Sequence, residues 1–209
     1  MGSLPQQTKR RLVTPHDISA LNSLLTNTST EFREPSHPQY EASIKRWSRA
    51  ADKPAGLVIV PSSASEVATV VKYANEHDLD LAVKGGGHST AGASSTDGGL
   101  LIDLSKLDKV RVDTERKLLY VGGGAIWGQV DKEAWKHGLA TVGGTVADTG
   151  VGGLSLGGGY GWLSGKYGLT IDCMVEVEIV LSNGRVVRCN EKEEEDLFWA
   201  VRGAGQNFG

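Results

Sequence analysis

The chain has 209 residues, a formal net charge of −3 and a sequence pI near 6.0. This length can bury an ordinary apolar core without disulfides or metal ions, and the slight acidity, with no basic cluster longer than residues 9–11, excludes nucleic acid as a partner. Glycine accounts for 28 residues, nearly twice its average share of about 7%, and its clustered placement excludes a collagen-like chain and indicates a backbone-lined binding site.

The N-terminal region and the cysteines indicate which classes of protein the chain does not belong to. The first thirty residues are polar and lack the apolar stretch of a secretory signal, and no apolar run approaches the roughly 20 residues that span a bilayer. We therefore expect a soluble, cytoplasmic protein with no membrane partner. Cys173 and Cys189 lie sixteen positions apart without a CxxC motif, which predicts neither a metal site nor a redox pair. Nothing in the sequence indicates the oligomeric state.

Residues 1–56 are weakly patterned. Apolar residues recur at helical spacing over 15–25 and again over 39–49. We interpret residues 1–56 as an N-terminal helical extension that packs against the rest of the chain.

At residue 57 the pattern changes to alternating strands and helices. Residues 57–60 form a short apolar run that predicts a buried strand, Ser63 and Glu66 fit a capping box that opens a helix, and residues 81–83 predict the next strand. This order predicts a βαβ unit, in which ligands bind at the carboxyl ends of the strands.

A glycine-rich turn lies at such a strand end. Gly85, Gly86 and Gly87 follow the second strand, and His88 and Ser89 come directly after them. Amides without side chains can approach a ligand closely, and an imidazole can act as a nucleophile. An isolated GGGH is more simply interpreted as a tight turn with a surface histidine. The interpretation of this turn as a ligand-binding site therefore depends on a second glycine-rich segment.

The downstream elements follow from local signals. Residues 100–103 predict a strand, residues 109–121 a hairpin, and residues 126–137 a helix. Asn183-Gly184 predicts the turn of a further hairpin between residues 175–181 and 186–187, and Asn190 predicts the cap of a last helix.

The second glycine-rich segment covers residues 143–161, where nine of nineteen residues are glycine. No regular helix or strand is expected to tolerate this composition without a compensating reason. Standard phosphate motifs fail here, because a P-loop at Gly165-Lys166 would require glycine in place of Tyr160 and Ser or Thr in place of Tyr167. A GxGxxG motif would require glycine in place of Trp162.

Six motifs in order along residues 40–209 carry a family resemblance. They are PAGLVIVPSSASEV at 54–67, VKGGGHS at 83–89, TGVGG at 149–153, GGGYG at 157–161, YGL at 167–169 and DLFWAVRGAGQNFG at 196–209. The set resembles the flavin-linked oxidases of the vanillyl-alcohol oxidase and berberine bridge enzyme group, in particular its fungal members.

The resemblance implies an α+β fold, namely a PCMH-type FAD-binding domain over residues 57–209. FAD is expected between two α+β subdomains, about 57–105 and 106–209. The positions that match the family's cofactor-binding motifs are Lys84, Gly85, Gly86, Gly87, His88, Ser89, Gly92, Gly144, Thr149, Gly150, Val151, Gly152, Gly153, Gly157, Gly158, Gly159, Tyr160, Gly161 and Val187.

The resemblance also implies that FAD is attached covalently through His88. Many relatives carry a second link through a cysteine, but the matching position here is Val146, so a single link is expected. The same resemblance gives Tyr160 a packing or stacking role in preference to acid–base work.

An FAD-dependent oxidoreductase is the function that the resemblance implies, with hydride passing from a small organic molecule to the flavin and then electrons to oxygen. The family's substrate domain, which usually supplies the catalytic base, is absent before Gly209, so we expect a fragment or a truncated product and name no catalytic residue. Two alternatives stay open: a flavin-binding or interaction module without turnover, and a nucleotide-sugar or adenylate binder that uses the same glycines.

Overall fold

The computed structural model describes residues 10–209, so the first nine residues of the expected extension lie outside it. The N-terminal half consists of α1 (Pro15–Leu24), β1 (Glu31–Arg33), α2 (Tyr40–Ile44), β2 (Leu57–Val60), α3 (Ala64–Glu76), β3 (Leu81–Lys84) and β4 (Leu100–Asp103). Its strands form one sheet in the order β1-β2-β4-β3. The strands β2, β3 and β4 are parallel, whereas β1 is an antiparallel edge strand.

Both faces of this sheet are covered, which explains the uninterrupted apolar runs in its central strands. Leu57, Ile59 and Leu100 pack on the face that carries α1 and α3. Val58 and Leu101 pack on the opposite face, against Tyr40 of α2. The sheet thereby gives β3 a rigid base, from which the chain enters the first glycine-rich turn.

The C-terminal half contains two antiparallel hairpins and several short helices. Its elements are β5 (Val110–Asp113), β6 (Leu118–Val121), α4 (Trp127–Trp135), α5 (Val151–Leu156), α6 (Ser164–Tyr167), β7 (Glu176–Val180), β8 (Val186–Asn190) and α7 (Glu195–Ala204). The structure confirms both predicted hairpins, β5–β6 and β7–β8. The second hairpin packs with α7 around the buried side chains of Cys189, Phe198 and Val201.

Two features of the N-terminal half differ from the prediction. The strand β1 lies within the segment interpreted as a helical extension, and its Phe32 pairs with Ile59 of β2, so part of this segment belongs to the first sheet. The predicted βαβ unit has its parallel strands, but β4 is inserted between β2 and β3. The division of the chain at residue 57 stays a prediction.

One local prediction in the C-terminal half is wrong, and one has the compensating reason that it required. The Asn190 side chain accepts the amides of Lys192 and Glu193 and so caps a turn, while α7 begins later, after Glu194. The glycine-rich segment does form a short helix, α5, despite Gly152 and Gly153. The helix is tolerated because Gly152 lies directly against the Gly123 backbone, where a side chain would collide.

Within residues 10–209, no helix is long and apolar enough to cross a membrane.

Candidate functional site

The two glycine-rich segments meet at a backbone-to-backbone contact. The first loop is residues 85–92, directly after β3, and the second loop is residues 147–153, which leads into α5. A Cβ atom placed on Gly86 would lie 2.6 Å from the Gly150 Cα, and one placed on Gly150 would lie 2.9 Å from the Gly86 Cα. Neither position has room for a side chain. Glycine at both positions therefore lets the two loops form one surface.

Hydrogen bonds to the start of α4 hold the second loop in place. The amide of Trp127 donates to the Thr149 carbonyl at 3.0 Å, and the amide of Gly128 donates to the Ala147 carbonyl at 2.8 Å. The Val151 amide donates to the Ala125 carbonyl at 2.8 Å, so this N–H is already used within the protein. The backbone on both sides of Asp148 is thereby fixed.

His88 projects from the first loop toward the second. Its Nε2 lies 3.2 Å from the Asp148 Oδ1, and its Nδ1 lies 3.5 Å from the Thr149 Oγ1. The imidazole also stacks on the Trp47 ring, with the ring centroids 5.8 Å apart and the planes 21° from parallel. With 22% of its side chain exposed, His88 is partly enclosed but remains reachable from one side.

Trp47 comes from the N-terminal segment, where no sequence pattern indicates a site residue. Its amide donates to the Gly87 carbonyl at 3.1 Å, which holds it against the first loop, while its side chain is 64% exposed. Asp148 was also missed, although an acidic residue inside a glycine-rich segment is a signal that could have been used. Both residues are distant from His88 in the sequence and contact it only in the folded chain.

Two cations lie beneath the first loop. The Lys84 Nζ is 3.1 Å from the Asp103 Oδ2, so its charge is paired. Arg46 is buried, and in the described part of the chain its guanidinium donates only to carbonyl and hydroxyl oxygens of Ser43, Lys45 and Ser94. Burial lowers the pKa of Arg46, and the carboxylates of Asp103 and Asp52 act in the opposite direction. Arg46 thus adds a positive charge beneath the first loop, next to Gly87.

The first loop can accommodate an anion. The backbone N–H groups of Gly86, Gly87, His88 and Ser89 donate to no acceptor within residues 10–209. The Ser89 carbonyl accepts from the Gly92 amide at 3.3 Å, which closes the loop on itself. Successive free amides above a buried cation suit the phosphates of a dinucleotide. The residues therefore fit the pyrophosphate of FAD.

The other predicted cofactor-binding residues have mixed surroundings. Gly144 packs against the Trp127 indole and Leu154, and Gly161 packs against the Gly143 carbonyl. Tyr160 is 72% exposed, so it does not pack within the described residues. The Val187 side chain lies in the apolar cluster of the second hairpin. Gly157, Gly158 and Gly159 come directly after α5, and the last two have positive φ angles.

Comparison with known proteins identifies the family of the chain. The family described as FAD binding domain matches residues 55–190, which is more than half of the chain. The chain belongs to this family of FAD-binding domains. The match begins after Trp47 and Arg46, so these two side chains lie outside the part of the chain that the family describes.

Named relatives of this FAD-binding domain are oxidoreductases. An FAD-linked oxidoreductase of Aspergillus terreus is 42% identical over 194 residues, which cover 92% of this chain and 39% of the relative. The (R)-6-hydroxynicotine oxidase of Paenarthrobacter nicotinovorans is 44% identical over 147 residues, which cover 70% of this chain and 32% of the relative. The chain thus spans about two fifths or less of the length of these relatives.

A solved structure confirms the predicted α+β fold of the FAD-binding domain. The 6-hydroxy-D-nicotine oxidase of Arthrobacter nicotinovorans matches with a TM-score of 0.84 and 38% identity over 88% of this chain and 40% of that one. The glucooligosaccharide oxidase of Acremonium strictum, whose flavin is a 6-S-cysteinyl, 8α-N1-histidyl FAD, also has this fold.

Proposed function

We propose that this FAD-binding domain carries FAD attached through His88 and serves an oxidoreductase that oxidises a small organic substrate. Bound FAD would supply the chemistry, accepting a hydride from the substrate and passing electrons to dioxygen. The chain would hold and orient the cofactor, and no residue of this chain is assigned as the catalytic base.

The observation that carries the proposal is the position of His88 where the two loops meet. A covalent link requires a nucleophile held at a fixed place beside the bound cofactor. Asp148, Thr149 and Trp47 contact the imidazole from different directions, and the free amides of the first loop lie next to it in the chain. The same few residues thus combine anion binding with an oriented nucleophile.

The remaining predicted residues would bind FAD around this centre. Lys84 and the glycines of the first loop would take the pyrophosphate side, and the second loop with Tyr160 would take the flavin side. Val146 stands where a second link would need a thiol, so the proposed attachment is single. For the substrate we propose only a chemical class, namely a small organic alcohol, amine or carbon acid.

The covalent link is tested by acid precipitation of the purified yellow protein. We expect wild-type flavin to remain with the precipitate and His88→Ala flavin to appear in the supernatant. If the His88→Ala protein retains as much flavin in the precipitate as wild type, the link through His88 is refuted.

The second candidate is a flavin-binding module without turnover, because the named oxidases are chains more than twice as long as this one. An experiment under anaerobic conditions distinguishes the two candidate functions. Reduction of the bound flavin by a small alcohol or amine, followed as bleaching of its visible absorbance, would rule out the module. Persistent absorbance with every such compound would favour it.

A further inference from the structure

We propose that Asp148 is a positioning residue that prepares His88 for attachment, by keeping the imidazole proton on Nε2 and leaving Nδ1 as the attacking nitrogen. This inference rests on the proposed link through His88. It assigns a role to a side chain that the motif comparison did not select, and it specifies which nitrogen forms the bond.

The contact between Asp148 and His88 selects one tautomer. The Asp148 Oδ1 lies 3.2 Å from the His88 Nε2, and 66% of the Asp148 side chain is exposed to water. The negative charge of an ionised carboxylate attracts an N–H and repels the lone pair of a ring nitrogen, so the nitrogen that lies 3.2 Å from it is favoured to carry the proton. A neutral imidazole has one N–H, and the lone pair is then on Nδ1.

Thr149 does not compete with this selection. Its Oγ1 lies 3.5 Å from the His88 Nδ1, at the outer limit of a hydrogen bond. A hydroxyl can donate or accept, so it adapts to whichever tautomer the carboxylate imposes. The hydroxyl also makes only this one weak contact with the ring, so an incoming flavin methyl group can displace it readily.

The geometry of Asp148 is fixed by its neighbours in the chain. The carbonyls of Ala147 and Thr149 are held by the amides of Gly128 and Trp127, and the Asp148 carbonyl lies close to Gly86. The loop contact at Gly86 and Gly150 then sets the distance between the carboxylate and the ring. Backbone contacts therefore hold Asp148 next to His88.

The other histidine–carboxylate pair of the described chain shows the difference. His137 and Glu133 are one turn apart at the end of α4, and the His137 Nε2 lies 3.9 Å from the Glu133 Oε1. That pair joins residues four positions apart and involves no glycine-rich loop. Asp148 and His88 come from two distant loops and are closer together.

The attachment step balances with this assignment. The Nδ1 lone pair forms the new bond to the 8α carbon of the flavin, and one methyl C–H bond breaks. The hydrogen leaves as a proton to water, and the two electrons pass into the flavin ring, from which dioxygen removes them to give hydrogen peroxide. Bond formation makes the imidazole ring cationic while Nε2 keeps its proton, and the Asp148 carboxylate stabilises this charge.

The rate of attachment tests the proposal. Flavin-free chain, produced under riboflavin starvation, is mixed with FAD, and the acid-stable flavin is measured over time. We expect Asp148→Ala to slow attachment about threefold, as for the loss of one ion-pair contact to an exposed carboxylate. Asp148→Asn keeps an acceptor without the charge and is expected to be intermediate. Glu115→Gln, which removes an exposed carboxylate in the β5–β6 turn, should match wild type.

The tautomer gives a readout that does not depend on turnover. Nitrogen-15 spectra of the flavin-free chain at pH 8 can identify the His88 signals among the five histidines by comparison with His88→Ala. We expect the Nε2–H tautomer in wild type and a mixture in Asp148→Ala. A dominant Nδ1–H tautomer in wild type would overturn the proposal.

Two outcomes distinguish failure of the covalent link through His88 from failure of the role of Asp148. Wild-type flavin released completely by acid would overturn the link through His88 and the role of Asp148 with it. Wild-type flavin retained in acid, together with equal attachment rates in wild type, Asp148→Ala and Glu115→Gln, would overturn the role of Asp148 alone.

Discussion

Replacing Gly86 with alanine tests whether the contact between the two loops organises the site. The added Cβ would lie 2.6 Å from the Gly150 Cα and 3.2 Å from the Asp148 carbonyl oxygen. Each of these atoms is backbone, and the second loop is tied by two hydrogen bonds to α4 and by one to Ala125, which precedes α4. The clash therefore cannot be relieved by turning a side chain, and the loops must separate.

The expected cost follows from that geometry. Forcing one extra methyl group into a well-packed contact costs about 1–3 kcal/mol. For a domain of about 200 residues, each kcal/mol lowers Tm by about 2–4 °C, so the Gly86→Ala protein should melt about 2–12 °C below wild type. Separation of the loops should also reduce the flavin bound after purification.

The assay compares Gly86→Ala with Gly165→Ala by thermal melting and by flavin absorbance per chain. Gly165 lies in α6, and a Cβ there would meet nothing within 4 Å, so alanine should leave Tm unchanged or raise it slightly. If Gly86→Ala melts together with Gly165→Ala and retains full flavin, the loop contact does not organise the site.

Three further predictions concern the rest of the chain. Trp47→Leu removes the ring that stacks on His88, so acid-stable flavin should form several-fold more slowly, while Tm should change by less than about 2 °C because Trp47 is exposed; an unchanged rate would contradict this. The Arg11 guanidinium holds the pKa of the Asp17 carboxyl well below its usual range, so the charged form stabilises the fold above about pH 4 and loses this effect as pH falls. Asp17→Asn should therefore cost about 2–3 kcal/mol in urea unfolding at pH 7 and clearly less at pH 3; equal costs would contradict it. Burial raises the pKa of the Cys189 thiol, so a thiol reagent should label exposed Cys173 at least about tenfold faster, as read by peptide mass spectrometry.

The elements that the sequence predicted well are those with short-range signals. The strand β2, the helix α3 with its Ser63 cap and the turn at Gly184 each depend on residues within a few positions of one another. The errors have a different origin. The strand β1 has only three residues, and its pairing with β2 depends on tertiary contact. The position of β4 between β2 and β3 is a property of the whole sheet, which periodicity does not encode.

The site could be predicted only in part for the same reason. Runs of glycine mark both loops directly in the sequence, and the motifs single out His88. Trp47 and Asp148 contact His88 across 41 and 60 positions of chain, and neither lies in a pattern of its own. Such contacts arise once the Gly86–Gly150 approach is in place, so they become visible only in the folded chain.

Intact-mass spectrometry of the acid-denatured yellow protein shows whether FAD is bonded to the chain. We expect the mass of the chain plus FAD less two hydrogens, with the flavin on the proteolytic peptide that contains His88. Protein that is yellow when native but has the mass of the bare chain after denaturation would contradict the covalent link. A flavin found on any other peptide would contradict the assignment to His88.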